Sequence, residues 1–167
     1  GLDFFTETYT RDDDLGFADP VLVVGASSLR ANVDILATLP REVWAETLFS
    51  DAARMRDALT QRKIALEQYF VGSGHAAALA RTSTYFSAAS GAASQMAGLD
   101  YYLFLKGLLA DWDARAQGLE ARLSALAGHI FTADEVTVSF TGNAAERERF
   151  WEAGGTLGLT PAGDVAH

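Results

Sequence analysis

The chain predicts an α+β fold in which a small, mainly antiparallel sheet is covered by helices on one face. Three observations carry this reading: β-favouring runs near the N-terminus (Phe4 to Thr10 and Val21 to Val24), apolar residues at helical spacing through the middle of the chain, and a period-two alternation at Val136, Val138 and Phe140. Strands grouped apart from helices suit an α+β arrangement.

Taken in order, Phe4 to Thr10 is rich in Phe, Thr and Tyr and reads as a strand, followed by a charged turn from Arg11 to Gly16. Pro20 introduces Val21-Leu22-Val23-Val24, a short β-branched run closed by Gly25, which reads as a second strand. From Leu29, residues Val33, Leu36, Ala37, Val43, Trp44 and Leu48 recur at helical spacing. Pro40 lacks the donor that a helix interior needs, so a kink or two short helices are expected there. Ser50 or Asp51 supplies an N-cap for a helix reaching about residue 70, with Met55, Leu59, Leu66 and Phe70 on one face. Gly72-Ser73-Gly74 breaks that helix and the Ala-rich stretch Ala76 to Thr84 starts another, while the small, polar Ser87 to Ser94 reads as a loop.

Tyr102, Leu105, Leu109, Trp112, Ala116, Leu119, Leu123 and Leu126 then alternate spacings of three and four, predicting one long helix over about 99–127. Val136 to Phe140 reads as a half-buried strand, Asn143 caps a last helix to Ala153, and Gly154-Gly155 end it. Residues 1–155 are thus expected to form a single α+β domain, with 156–167 as a linker or frayed tail.

Composition narrows the function classes. A chain of 167 residues with 49% hydrophobic and 21% charged residues is ordinary for one globular domain. It has no apolar run of the ~18 residues a bilayer span needs and no export signal at Gly1, so no membrane partner is expected. The absence of cysteine removes disulfides, thiolate nucleophiles and Cys-ligated zinc, and fits a reducing, cytoplasmic setting. A net charge of −9 with scattered basic residues opposes a phosphate backbone, so nucleic acid is not expected either.

Several motifs invite chemistry and yield plainer explanations. Gly72-Ser73-Gly74-His75-Ala76-Ala77 satisfies G-x-G-x-x-A, but a dinucleotide fingerprint needs a strand before it and an acid about 20 residues on. Here the preceding residues have helical periodicity and no acid occurs between Glu67 and Asp100, so Gly72, Gly74 and His75 are read as a helix–helix turn. In that turn the glycines permit positive φ and close packing, and His75 caps or hydrogen-bonds. Asp12-Asp13-Asp14 lacks the ligand spacing of an EF-hand loop, and no serine sits in a nucleophile elbow. Arg81, Tyr85 and Tyr101 remain candidates for contact with a peptide or a neighbouring domain, and Arg81 is also placed to pair with Asp100.

The block Ser73 to Leu105, with Gly74-His75, Arg81, Ser87 and Gly98-Leu99-Asp100-Tyr101-Tyr102, resembles the pitrilysin/insulinase zinc metallopeptidases, presequence-protease subgroup. Leu29 and Asn32, Phe49-Ser50-Asp51, Arg54, Gln61 and Leu66-Glu67 extend the match upstream and Val136 to Gly142 downstream, over about residues 20–153. The resemblance implies a metallopeptidase-like (LuxS/processing-peptidase-like) domain, the third of four in a protease whose two halves enclose a chamber. Zinc and its glutamate base would lie in the first domain. This chain has only His75, His129 and His167 and no H-x-x-E-H helix, so it is expected to hold no catalytic or metal-ligating residue and to be inactive alone. Its implied partners are the other domains of the same polypeptide and, in the parent, peptide substrate. The alternative is a noncatalytic interaction module, a scaffold with a peptidase-like fold; a nucleotide-binding protein is a third reading, testable by whether residues 64–71 form a strand.

Overall fold

A computed structural model describes residues 1–131 and 136–158. It is α+β, with one two-stranded antiparallel sheet followed by a succession of helices. Strands β1 (Leu2–Arg11) and β2 (Asp14–Ala26) are joined by a two-residue turn at Asp12-Asp13, where the Asp14 carboxylate accepts from the Gly16 amide at 2.9 Å. At the open end Gly1 and Ser27 exchange backbone hydrogen bonds, both 2.8 Å. With 10 residues in β1 against 13 in β2, the register must shift between turn and base. Pro20 is tolerated inside β2 because each strand of a two-stranded sheet has an open edge that needs no donor.

The helices are α1 (Ile35–Glu46), α2 (Ala52–Gly72), α3 (Gly74–Ser83), α4 (Ala88–Ala97), α5 (Leu99–Ala110), α6 (Trp112–Ile130) and α7 (Ala144–Glu152). Caps explain several starts. Asp51 accepts from the Arg54 amide at 2.9 Å, and Asn143 and Glu146 form a reciprocal capping box at α7. Gly154 (φ 104°) and Gly155 (φ 41°) take left-handed conformations that terminate α7 as the sequence predicts. Pro40 lies buried within α1, which continues through it rather than splitting in two.

Three expectations change. The helix expected over 99–127 is divided into α5 and α6 at Asp111, whose φ −126°, ψ 45° is non-helical. Asp favours the position before a helix start, and a one-residue break leaves the apolar stripe intact, so periodicity does not detect it. Along the stripe Leu105 and Trp112 are buried, whereas Leu109 is only half-buried and Leu126 is exposed; Leu108, outside the predicted stripe, is buried instead. The stretch Ser87 to Ser94, read as a loop, opens α4, with Ser87 as its N-cap; alanine propensity outweighs the serines and Gly91. Val136 to Phe140 is not a strand, and the expected sheet of three or more strands has two among the described residues. Alternation gives a strand signal but does not by itself secure a partner, and here Phe140 packs on Phe150 instead of on a strand edge, centroids 5.3 Å apart.

The chain divides into two compact units. The first (1–4, 24–48 and 121–167) is built on Val33, Ala37 and Phe150, with Leu36, Phe140, Trp151 and Ala153 packed against them. Trp44 in α1 stacks on Phe131 at 4.9 Å, and its indole N–H donates to the Leu157 carbonyl at 3.2 Å, so residues 156–158 form a docked 3₁₀ turn; 159–167 lie outside the described residues. The second unit (5–23 and 49–120) buries Leu66 of α2, Leu105 and Leu108 of α5, and Trp112, with α5 against both α2 and α4.

Candidate functional site

Within the second unit, α3, α4 and α5 meet at one acid. Gly98 ends α4 and opens α5, so the chain reverses in a single residue. A Cβ there would stand 2.8 Å from the Ser94 Cα, a separation that the two backbones cannot absorb without moving. This approach puts Asp100 in the first turn of α5, where its negative charge suits the helix dipole. The Ser94 hydroxyl, 8% exposed, donates to the Asp100 carboxylate at 2.6 Å, and the Asp100 amide donates back to that hydroxyl at 3.4 Å. Arg81 of α3 donates through Nη1 to both carboxylate oxygens, at 3.1 and 2.9 Å. One carboxylate thereby ties three helices together.

One face of α5 away, a second polar group joins α5 to α2. A single Glu67 oxygen accepts from Lys63 Nζ, one turn earlier, and from the Tyr102 hydroxyl, both at 2.9 Å. Donation by Lys63, and then by Tyr102, favours the Glu67 anion and lowers its pKa; the same bonds raise the pKa of Lys63 and of Tyr102. The Tyr102 ring meets Phe70 edge-on at 5.5 Å, and the Arg62 guanidinium lies 5.9 Å from the neighbouring Tyr101 ring.

The predicted residues fall in different places. Arg81 is engaged by Asp100, as the sequence suggests, and its guanidinium is partly exposed. Tyr101 is half-buried beside Arg62, while Tyr85 stands 77% exposed in the turn after α3, followed by the equally open Phe86. Gly72 and Gly74 flank the non-helical Ser73 between α2 and α3, but neither has positive φ and a Cβ at either would meet nothing within 4 Å. The close approach sought there occurs at Gly98. His75 is exposed within α3 and its side chain makes no hydrogen bond among the described residues, so it caps nothing. Residues 64–71 are helical, which removes the strand that a dinucleotide fingerprint requires. Ser94 escapes sequence reasoning because its surroundings read as a loop, and Tyr102 reads only as a core position; the signal for both is their proximity to acids across a turn or a facing helix.

Chemically the arrangement is a set of satisfied clamps. Among the described residues no three His, Cys, Asp or Glu side chains converge as a zinc site requires, and His75 and His129 sit on separate helices. No helix among them is long and apolar enough to cross a membrane.

Comparison with known proteins gives a match between residues 1–108 and the family described as peptidase M-16C associated. The match takes in the β-hairpin from its first residue and stops at 108, where the sequence suggests about 20–153. Over 122 residues, 73% of this chain, the sequence is 26% identical to presequence protease 1, chloroplastic/mitochondrial, of Arabidopsis thaliana. The chain spans only 11% of that curated relative. No solved structure matches.

Proposed function

Because the chain belongs to the peptidase M-16C associated family, we propose that it is a noncatalytic chamber-wall domain of a zinc-dependent endopeptidase that degrades unstructured peptides. The observation that carries this reading is the family match over 1–108, together with a relative named as a presequence protease in which the matching region is a small part of a much longer chain. Zinc and the base that activates its water would be supplied by other domains of the same polypeptide. This chain's part is to form a wall and to bind, with Tyr85 and Phe86 as the exposed contact and the half-buried Tyr101 of α5 as a further candidate. Arg81 acts as a positioning residue, since its guanidinium is held by Asp100. A cysteine-free chain suits a reducing compartment, and the cytoplasm is the proposed setting.

The exposed pair Tyr85 and Phe86 also favours a second reading, a scaffold module that docks a partner without any peptidase. The test is digestion of an unstructured basic peptide by the longer polypeptide that carries this chain, with and without a zinc chelator, beside the 167-residue chain alone. Chelator-sensitive cleavage by the longer polypeptide only is expected. No cleavage by a longer polypeptide that binds no zinc would replace this reading with the scaffold.

A further inference from the structure

We propose that the open edge of β1 is a docking site for an extended, basic peptide segment, which adds as a third strand beside α4. A groove of about 380 Å³ lies within the second unit, lined by Thr6, Glu7 and Thr8 of β1 and by one face of α4 that includes Ala89, Ala93 and Met96. Side chains alternate between the faces of a strand, so a groove lined by three consecutive residues follows the strand's edge rather than either face. Among the described residues β1 pairs only with β2, and its other edge therefore offers the backbone donors and acceptors of alternate residues along this stretch. The α4 wall is mostly alanine, which leaves room for the side chains of an added strand.

Charge selects the occupant. Glu7 is the groove's one ionisable residue, is exposed and makes no ion pair among the described residues, while Asp12, Asp13 and Asp14 follow at the hairpin tip. A second copy of this chain adding antiparallel about the groove would set Glu7 against Glu7, which is unfavourable. A segment with lysine or arginine on alternate positions places its cations on one face, opposite Glu7, while its main chain completes the ladder. This deepens the peptide-handling reading above and rests on it only for the class of occupant.

The test is fluorescence anisotropy of a labelled peptide of about ten residues alternating valine and lysine, added to the 167-residue chain at low salt. A second peptide carries N-methyl groups on alternate amides, which removes ladder donors and keeps every side chain. The unmodified peptide is expected to bind, and N-methylation, Glu7→Lys and Ala93→Arg are each expected to weaken binding by roughly tenfold or more. Ala93 is exposed on its helix, so its replacement obstructs the groove without opening the core. Equal binding of the N-methylated peptide, an unaffected Ala93→Arg, or no binding at about 1 mM would overturn the proposal. Binding by this chain but not by the longer polypeptide would also overturn it, showing that a strand of the same polypeptide takes the edge. Chelator-sensitive cleavage is scored separately, so failure of the groove leaves the protease reading standing.

Discussion

The two units use ion pairs of similar exposure in different positions. In the first, Arg149 grips Asp34 at 3.0 Å and Arg30 reaches Glu146 at 3.3 Å, around a cluster of Val33, Ala37 and Phe150 that these pairs border from outside. In the second, Arg81 and Asp100 sit at a helix junction, and the acid also takes the hydroxyl of a buried serine. Exposed pairs contribute at most about 1 kcal/mol, so in the first unit apolar burial carries the stability and the charges fix orientation. In the second the polar group replaces side-chain packing at a place where Gly98 brings two backbones too close for anything larger.

The largest effect should follow loss of core volume. Leu105 is fully buried, and Leu105→Ala should cost about 2–5 kcal/mol. Phe150→Ala in the first unit should cost a similar ~3–5 kcal/mol, against ~1 kcal/mol or less for Arg149→Ala. Urea unfolding measures the magnitudes, and amide exchange reports where each is felt: α2, α4 and α5 for Leu105→Ala, α1 and α7 for Phe150→Ala. An Arg149→Ala loss equal to that of Phe150→Ala would abolish the ranking of burial over charge in the first unit.

Next in size is the junction itself. Gly98→Ala should destabilise by about 1–3 kcal/mol, because its Cβ must displace Ser94 backbone and with it the hydroxyl that serves Asp100. Gly74→Ala, in open space within α3, is the control and should be neutral or slightly stabilising. Thermal melting of both variants decides the matter; equal losses would mean that the 98 junction is no tighter than the 72–74 turn.

These two glycines also mark how far the sequence is legible. Both sit at helix boundaries, but the consequence of a Cβ depends on which segment folds back, and nothing local encodes that. Features set by neighbouring residues are readable: the Asp51 and Asn143 caps, the span of α2, the glycines ending α7, and the complementarity of Arg81 and Asp100. Features decided at a distance are not. Val136 to Phe140 alternates like a strand and pairs with none among the described residues, Asp111 interrupts a helix without disturbing its apolar period, and Ser94 acquires its role only when α4 folds against α5. In α4 the difference is of another kind, since serine and glycine suggest a loop where a cap and seven residues of helix-tolerant Ala, Gln and Met are enough for a helix.

The smallest effect concerns pH and the Glu67 group, which has no counterpart in the first unit among the described residues. Glu67 titrates below its ordinary 4.5 because Lys63 and Tyr102 donate to it, so its contribution to stability is present above that value and is lost as pH falls through the lower folded-state value. Tyr102 and Lys63 titrate above their ordinary 10.0 and 10.5, so theirs is complete below those values and is lost as pH rises through the raised ones. The wild-type chain should therefore hold a small, constant advantage in melting temperature over Glu67→Gln between about pH 5 and 9, shrinking on either side of that plateau. Tyr102→Phe should keep the acid limb, weakened, since Lys63 still donates, and should lose the tyrosine part of the alkaline one. A difference between wild type and Glu67→Gln that persists unchanged to about pH 3 would mean that the carboxylate's charge contributes nothing and that Glu67 serves α2 and α5 only through its shape.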